Sequence, residues 1–193
     1  GTVSHTVKRA RLYRALHEEA VGRGIQMEYG KRLVDAVATP GGGVTAQFDD
    51  GTSATGDLLV GADGVHSPSR RLIDPAAPVG RYVGLVNFGG YTDHTVPGAE
   101  LGNWYMIFGR QAFFGYVVDP SGGTVWFVNV PREQVTAAER TATTTEDWQR
   151  QLRDLFAKDR GPAADLITAG RLELIADNTH DLPRVPTWHN GPM

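Results

Sequence analysis

One run of residues has the types and spacing to do chemistry: Asp57-Leu58-Leu59-Val60-Gly61-Ala62-Asp63-Gly64-Val65-His66-Ser67-Pro68-Ser69-Arg70. Leu58-Leu59-Val60 reads as a strand apolar on both faces, the pattern of a strand buried in a covered sheet. It runs into Gly61-Ala62, where small residues let another backbone or a ligand come close. Asp63-Gly64 follows at the strand's carboxyl end, the place where open α/β sheets put ligands. Ser67 can cap a following helix. Arg70 then falls in that helix's first turns, within reach of an acid or a phosphate. Taken alone, Asp-Gly reads as a turn and the arginine as its salt-bridge partner.

Other chemistries are missing. There is no Gly-x-Ser-x-Gly elbow. There is no P-loop and no Gly-x-Gly-x-x-Gly. His5, His17, His66, His94, His180 and His189 form neither His-x-His nor His-Glu-x-x-His, which argues against a metal site. With no cysteine in the chain, disulfides and thiolate nucleophiles are excluded, and a reducing compartment, the cytoplasm, is expected. Nineteen Lys and Arg against 22 Asp and Glu give a net charge of -3, which argues against a nucleic-acid partner. No apolar run approaches the ~20 residues of a membrane span, and no signal peptide is visible.

The elements that must position the motif follow from periodicity. Leu12, Leu16 and Ala20 share one face of a helix over residues ~6–21, with Ser4 or Thr6 as its N-cap. Ile25, Met27 and Tyr29 alternate with polar residues as in a half-buried strand. Further strands are expected at ~33–38 and ~44–48, with turns at Pro40–Gly43 and at Asp50-Gly51. From ~80 the pattern changes. Four strands rich in Phe, Tyr, Trp and Val are expected at ~82–92, ~102–109, ~112–119 and ~123–130, with hairpin turns at 109–111 and 119–123. A helix over 143–158 with Thr145 as N-cap, a short helix at ~162–169 and a strand at ~172–177 complete the reading. Glycine takes 24 of 193 positions, above the usual ~7%, as tight turns or close backbone approaches require. The chain begins with Gly1 and stops at Met193 without a tail, as a piece of a longer protein would.

The string around Asp63 resembles the Asp-Gly motif of the para-hydroxybenzoate hydroxylase-like, FAD-dependent aromatic hydroxylases. Asp63, Gly64, Ser67 and Arg70 stand at its matching positions, and Ser69 departs from the apolar residue usual there. Val7–Leu16 resembles the family's Arg-x-x-Leu-x-x-x-Leu helix, with Arg9 at the arginine that approaches the FAD. Phe108–Tyr116 and Val125–Pro131 resemble its substrate-domain sheet, and Trp188-His189-Asn190-Gly191 the lead-in to its second FAD motif. The family's N-terminal Gly-x-Gly-x-x-Gly would precede Gly1, and its Gly-Asp motif would follow Met193.

The resemblance implies a mixed α/β (α+β) fold. Residues 1–75 would be part of a Rossmann-like FAD-binding domain, 76–180 an antiparallel-sheet substrate domain, and 181–193 a return toward the first. It implies a monooxygenase that uses NAD(P)H and O2 to hydroxylate an aromatic or similarly electron-rich small molecule. Arg9, Asp63, Gly64, Ser67 and Arg70 would bind cofactor. Asn87, Phe88, Tyr105, Phe114, Tyr116 and Trp126 would line the wall facing the flavin, and Arg110 would take an anionic group. No catalytic residue is assigned, the oligomeric state is open, and the isolated chain is expected to bind FAD weakly and to be inactive. Two other readings stand beside it. One is a different FAD oxidoreductase, an epoxidase or reductase, and the other a non-catalytic binding or interaction module.

Overall fold

The computed structural model describes Val7, residues 9–120 and residues 122–193. The expected N-caps Ser4 and Thr6 lie outside these residues. Tyr82–Thr179 pack as one unit, and Lys8–Arg81 with His180–Met193 as a second. No helix of the described residues is long and apolar enough to cross a membrane.

The first unit is built on a five-stranded antiparallel sheet. Its strands are β4 (Arg81–Thr92), β5 (Trp104–Phe108), β6 (Phe113–Val118), β7 (Thr124–Pro131) and β8 (Arg171–Asp181), in the order β5-β6-β7-β4-β8. Turn chemistry fixes the β6–β7 hairpin: Gly122 and Gly123 take positive φ, and Asp119 and Gly123 close the turn through a backbone hydrogen bond. Side chains alternate across the strands. Val86 and Phe88 of β4, Phe114 and Tyr116 of β6, and Trp126, Val128 and Val130 of β7 form one buried face. Helices α4 (Thr145–Phe156) and α5 (Ala163–Ala169) cover it with Trp148, Leu152, Phe156, Leu166 and Ile167.

The helix expected over 143–158 is α4, and a short helix that was not expected precedes it. α3 (Ala137–Ala142) ends at Thr143, and Thr144, not Thr145, caps α4 by accepting from the Asp147 N–H at 3.1 Å. Both helices begin with the same signature, a threonine followed three residues later by an acid: Thr136 with Glu139, and Thr144 with Asp147.

The second unit holds α1 (Arg9–Gly22), a meander of β1 (Leu33–Ala38), β2 (Val44–Phe48) and β3 (Ser53–Gly56), and the short helix α2 (Pro68–Ile73). Two expected strands are absent here. Ile25, Met27 and Tyr29 lie in irregular chain and are exposed, and so do Leu58 and Val60. An apolar pattern becomes a strand only beside a hydrogen-bonding partner, and none of the described residues pairs with either run as a strand. One backbone bond ties the second run: Leu59 N–H donates to the Pro192 carbonyl at 2.9 Å. The apolar face of α1 is likewise uncovered, with Leu12 and Leu16 exposed and no buried residue in the helix.

Candidate functional site

The Asp63 turn is organised by α2. Ser67 is its N-cap, accepting from the Arg70 N–H at 3.0 Å, and Pro68 occupies the first turn, where its missing N–H costs nothing. This geometry aims the Ser69 N–H and hydroxyl back at the preceding loop. Both donate to Asp63 Oδ2, at 3.0 and 2.8 Å. Partial burial pushes the Asp63 carboxyl up. Hydrogen bonding from Ser67 and Ser69 outweighs this and holds it below the usual carboxylate range. Asp63 is therefore ionised at neutral pH and fixed in orientation.

Ser69 does more than depart from an apolar pattern. It is 6% exposed and lies against Gly61, where an added Cβ would stand 2.5 Å from the Ser69 Cβ. Glycine at 61 and a small residue at 69 therefore require each other. Sequence reading noted Ser69 only as a departure from the apolar residue usual there. Its place two residues after the cap Ser67, where it faces the loop carboxylate, was the signal.

Arg70 departs from expectation. Its guanidinium donates to the carbonyls of Gly64 at 2.9 Å and Val65 at 3.1 Å, and not to an acid. Gly64 makes that possible, since its φ of 80° turns the carbonyl back toward α2. Arg70 thus staples the loop that carries Asp63. Beside it, the His66 and His180 rings meet edge to face at 5.0 Å.

Asp63, Gly64, Ser67 and Arg70 line one cleft of about 750 Å³, together with Leu58, Val60, His180 and Trp188. A second cleft, of about 690 Å³, lies along Leu59–Asp63 with Lys31 and Asp49. Arg9 lines neither. It opens α1, and its guanidinium donates to the Tyr13 hydroxyl.

The expected substrate residues divide between the two faces of the sheet. Phe88, Phe114, Tyr116 and Trp126 are at most 5% exposed, and they fill the space under α4 and α5. Tyr105 stacks on Tyr116 at 4.8 Å, and its hydroxyl accepts from the Glu100 N–H. Phe88, Phe114, Tyr116 and Trp126 are core residues with the half-buried Tyr105 packed against them, and the expectation that these residues line a ligand wall is corrected: contacts within the core already occupy them. Asn87 alone of the group points to the open face. Arg110 sits at the β5–β6 hairpin tip, its N–H bonded to Asp159 Oδ2 at 3.1 Å and its side chain largely in solvent.

The open face carries residues that sequence reading left out. Asn129 stands directly opposite Asn87. Phe113, Phe127, Phe108 and Trp104 form a chain of ring contacts at 4.9–5.7 Å beside them.

A mixed fold with a sheet backed by helices, and an Asp-Gly turn fixed by a capped helix, is the architecture of an FAD-binding monooxygenase domain. The chain belongs to the FAD binding domain family, whose model matches residues 1–174. It is 30% identical over 154 residues to the FAD-dependent urate hydroxylase of Klebsiella pneumoniae, a match covering 77% of this chain and 38% of that protein. It is 30% identical over 148 residues to the rifampicin monooxygenase of Rhodococcus hoagii, covering 77% of this chain and 30% of that one. Among solved structures, Klebsiella pneumoniae HpxO complexed with FAD and uric acid superposes with a TM-score of 0.79 at 28% identity, over 96% of this chain and 46% of that one. A salicylate hydroxylase substrate complex shares the fold, with a TM-score of 0.62 at 20% identity over 93% of this chain and 48% of that one. The chain spans less than half the length of each of these relatives.

Proposed function

We propose that this chain is part of an FAD-dependent monooxygenase that uses NAD(P)H and O2 to hydroxylate an aromatic or similarly electron-rich small molecule. The observation that carries the proposal is the Asp63 turn. An ionised carboxylate, a hydroxyl at Ser67 and a bare backbone at Gly64, with nothing within 4 Å of where its Cβ would stand, converge on one cleft. That donor set fits a ligand rich in hydroxyl groups, as the sugar-like portions of FAD are. Asp63 would accept a hydroxyl hydrogen, Ser67 and Gly64 would support it, and Arg70 would hold the loop in shape. Arg9 would face the cofactor from α1. Bound FAD supplies the redox chemistry that activates O2, and the protein supplies binding, orientation and exclusion of water.

The division of labour proposed for the chain follows the two units. Residues 1–75 and 181–193 serve the cofactor, and 76–180 serve the substrate. The open face of the sheet, with Asn87, is the substrate wall. A cysteine-free chain suits a reducing compartment, and the cytoplasm is the compartment proposed.

The test is an FAD titration of the full-length protein, read by flavin absorbance and fluorescence, beside Asp63→Ala. Loss of a hydrogen bond to a charged group predicts at least a tenfold weaker FAD affinity for the variant. Equal affinity of the two proteins would remove Asp63 from the cofactor site. No FAD binding by either would overturn the reading itself.

A further inference from the structure

The open face of the five-stranded sheet has a polar centre in an apolar frame. Asn87 of β4 and Asn129 of β7 are a directly opposed register pair, so their side chains rise side by side, roughly 5 Å apart at Cβ. Both are half-buried, and neither carboxamide has a hydrogen-bond partner among the described residues. Neither amide is among the buried unpaired polar groups, so both keep their donors and acceptors open to a ligand on this face.

The surroundings limit what can lie there. Next to Asn87 along β4 comes Gly89, which leaves the backbone bare. The neighbouring Phe127 ring leans the other way, over Gly115 of β6, into the space a Cβ there would need. Leu174 of β8 borders the other side of Gly89. Gly89 thus leaves a gap between the Phe127 ring and Leu174, beside the two amides. From Val83 to Tyr91, and across the matching positions of β5, β6 and β7, the sequence places no charged residue on this face; the cation nearest its far end is Arg171 of β8, which lies over the Tyr91 ring at 5.2 Å and is ion-paired with Glu173 at 3.3 Å. Arg110, the cation expected to meet an anionic ligand, is engaged with Asp159 at the hairpin tip.

We infer that Asn87 and Asn129 are specificity-determining residues that select a neutral, planar heteroaromatic ring with a lactam edge, an adjacent N–H and C=O. Each carboxamide offers both a donor and an acceptor, so the pair matches such an edge in either orientation. A carboxylate-bearing ring finds no cation beside the two amides, since Arg171 lies at the Tyr91 end and is paired with Glu173, and a plain hydrocarbon ring leaves both amides unpaired. A site built to hydrogen-bond its ligand discriminates strongly against analogues that cannot reciprocate. The inference rests on the proposal that this face is the substrate wall.

The test uses the FAD-loaded full-length protein and three ring probes of similar size: 2-quinolone, N-methyl-2-quinolone and 2-naphthoate. Calorimetry measures their affinities, and flavin absorbance independently reports whether FAD is bound. The expected result is about tenfold tighter binding of 2-quinolone than of its N-methyl form, with 2-naphthoate the weakest. Asn87→Leu and Asn129→Leu should each shrink that preference several-fold, and the double variant should abolish it. Serine variants at both positions replace any leucine variant that fails to fold. A preference that survives in the double variant, or no binding of 2-quinolone to FAD-loaded protein, overturns the inference and leaves the flavin reading intact. Loss of FAD binding in the unaltered protein overturns both.

Discussion

The two units are held together by opposite means. In the unit containing the five-stranded sheet, large side chains do the holding: Trp126, Trp148, Phe88, Phe114 and Phe156 are almost fully buried between sheet and helices. In the unit containing Asp63, α1 buries nothing, and the meander buries only Val44 and Ala46 among its hydrophobic residues. Its defined feature is polar, the Ser67–Ser69–Asp63–Arg70 network around one short helix. A packed core tolerates little change of volume but is indifferent to pH. A hydrogen-bonded turn tolerates changes of bulk at its open side and depends on the charge of its carboxylate. The difference separates a packed scaffold from a polar loop, the part proposed above to hold the cofactor.

The largest effect should come from truncation in the core. Trp126→Ala removes an indole packed on Phe114 and beneath α5, and should cost about 3–5 kcal/mol. Leu16→Ala on the uncovered face of α1 should cost the 193-residue chain no more than about 0.5 kcal/mol. Chemical denaturation of both variants checks the contrast. Equal costs would break it, and would mean that the α1 face is covered in solution.

A smaller effect, with a pH signature, belongs to Ser69→Ala. It removes one of the two bonds from residue 69 to Asp63 while the backbone N–H remains. At neutral pH the loss should be about 1.5 kcal/mol, the low end for a bond to a charged group, because water reaches the loop. The sign of the pH dependence follows from the direction of the shift. The Asp63 carboxyl is held below its ordinary value in the folded protein, so its contribution is complete above the ordinary carboxylate range. That contribution is lost as pH falls through the depressed value. Removing the Ser69 hydroxyl raises the folded value, so the acid loss of stability should begin at a higher pH in the variant. Parallel acid titrations of unfolding free energy would show the two curves converging at low pH. A constant offset at every pH would assign Ser69 to packing alone.

What the sequence disclosed follows the same division. Strands β4 to β7 were legible because bulky aromatic residues alternate between well-marked turns, and those features are local. The motif residues Asp63, Gly64, Ser67 and Arg70 were legible because a cap and a turn are also local. Which face of the sheet is covered was not legible. Alternation groups Phe88 with Val86 and Asn87 with Gly89, but only the docking of α4 and α5 decides which set becomes core. For the same reason Asn129 was invisible: its importance comes from standing opposite Asn87, a relation between strands 42 residues apart. Ile25–Tyr29 and Leu58–Val60 failed in the other direction, since a strand-like pattern does not supply the partner strand.

The smallest expected effect tests how far local signals can be trusted. The run Thr143-Thr144-Thr145 offers three candidate caps for α4, and hydrophobic periodicity alone does not choose among them. The backbone does. Thr144 has the extended geometry of a cap, φ −71° and ψ 161°, while Thr145 is already in the first turn. Thr144→Ala should therefore cost about 1 kcal/mol through the unpaired Asp147 N–H. Thr145→Ala should be neutral or slightly stabilising, because alanine is the better helix former. Denaturation of the two single variants separates the positions. A larger loss at Thr145 would move the cap, and with it the start of α4, by one residue. The extended backbone at Thr144 and its 3.1 Å bond from the Asp147 N–H argue for Thr144.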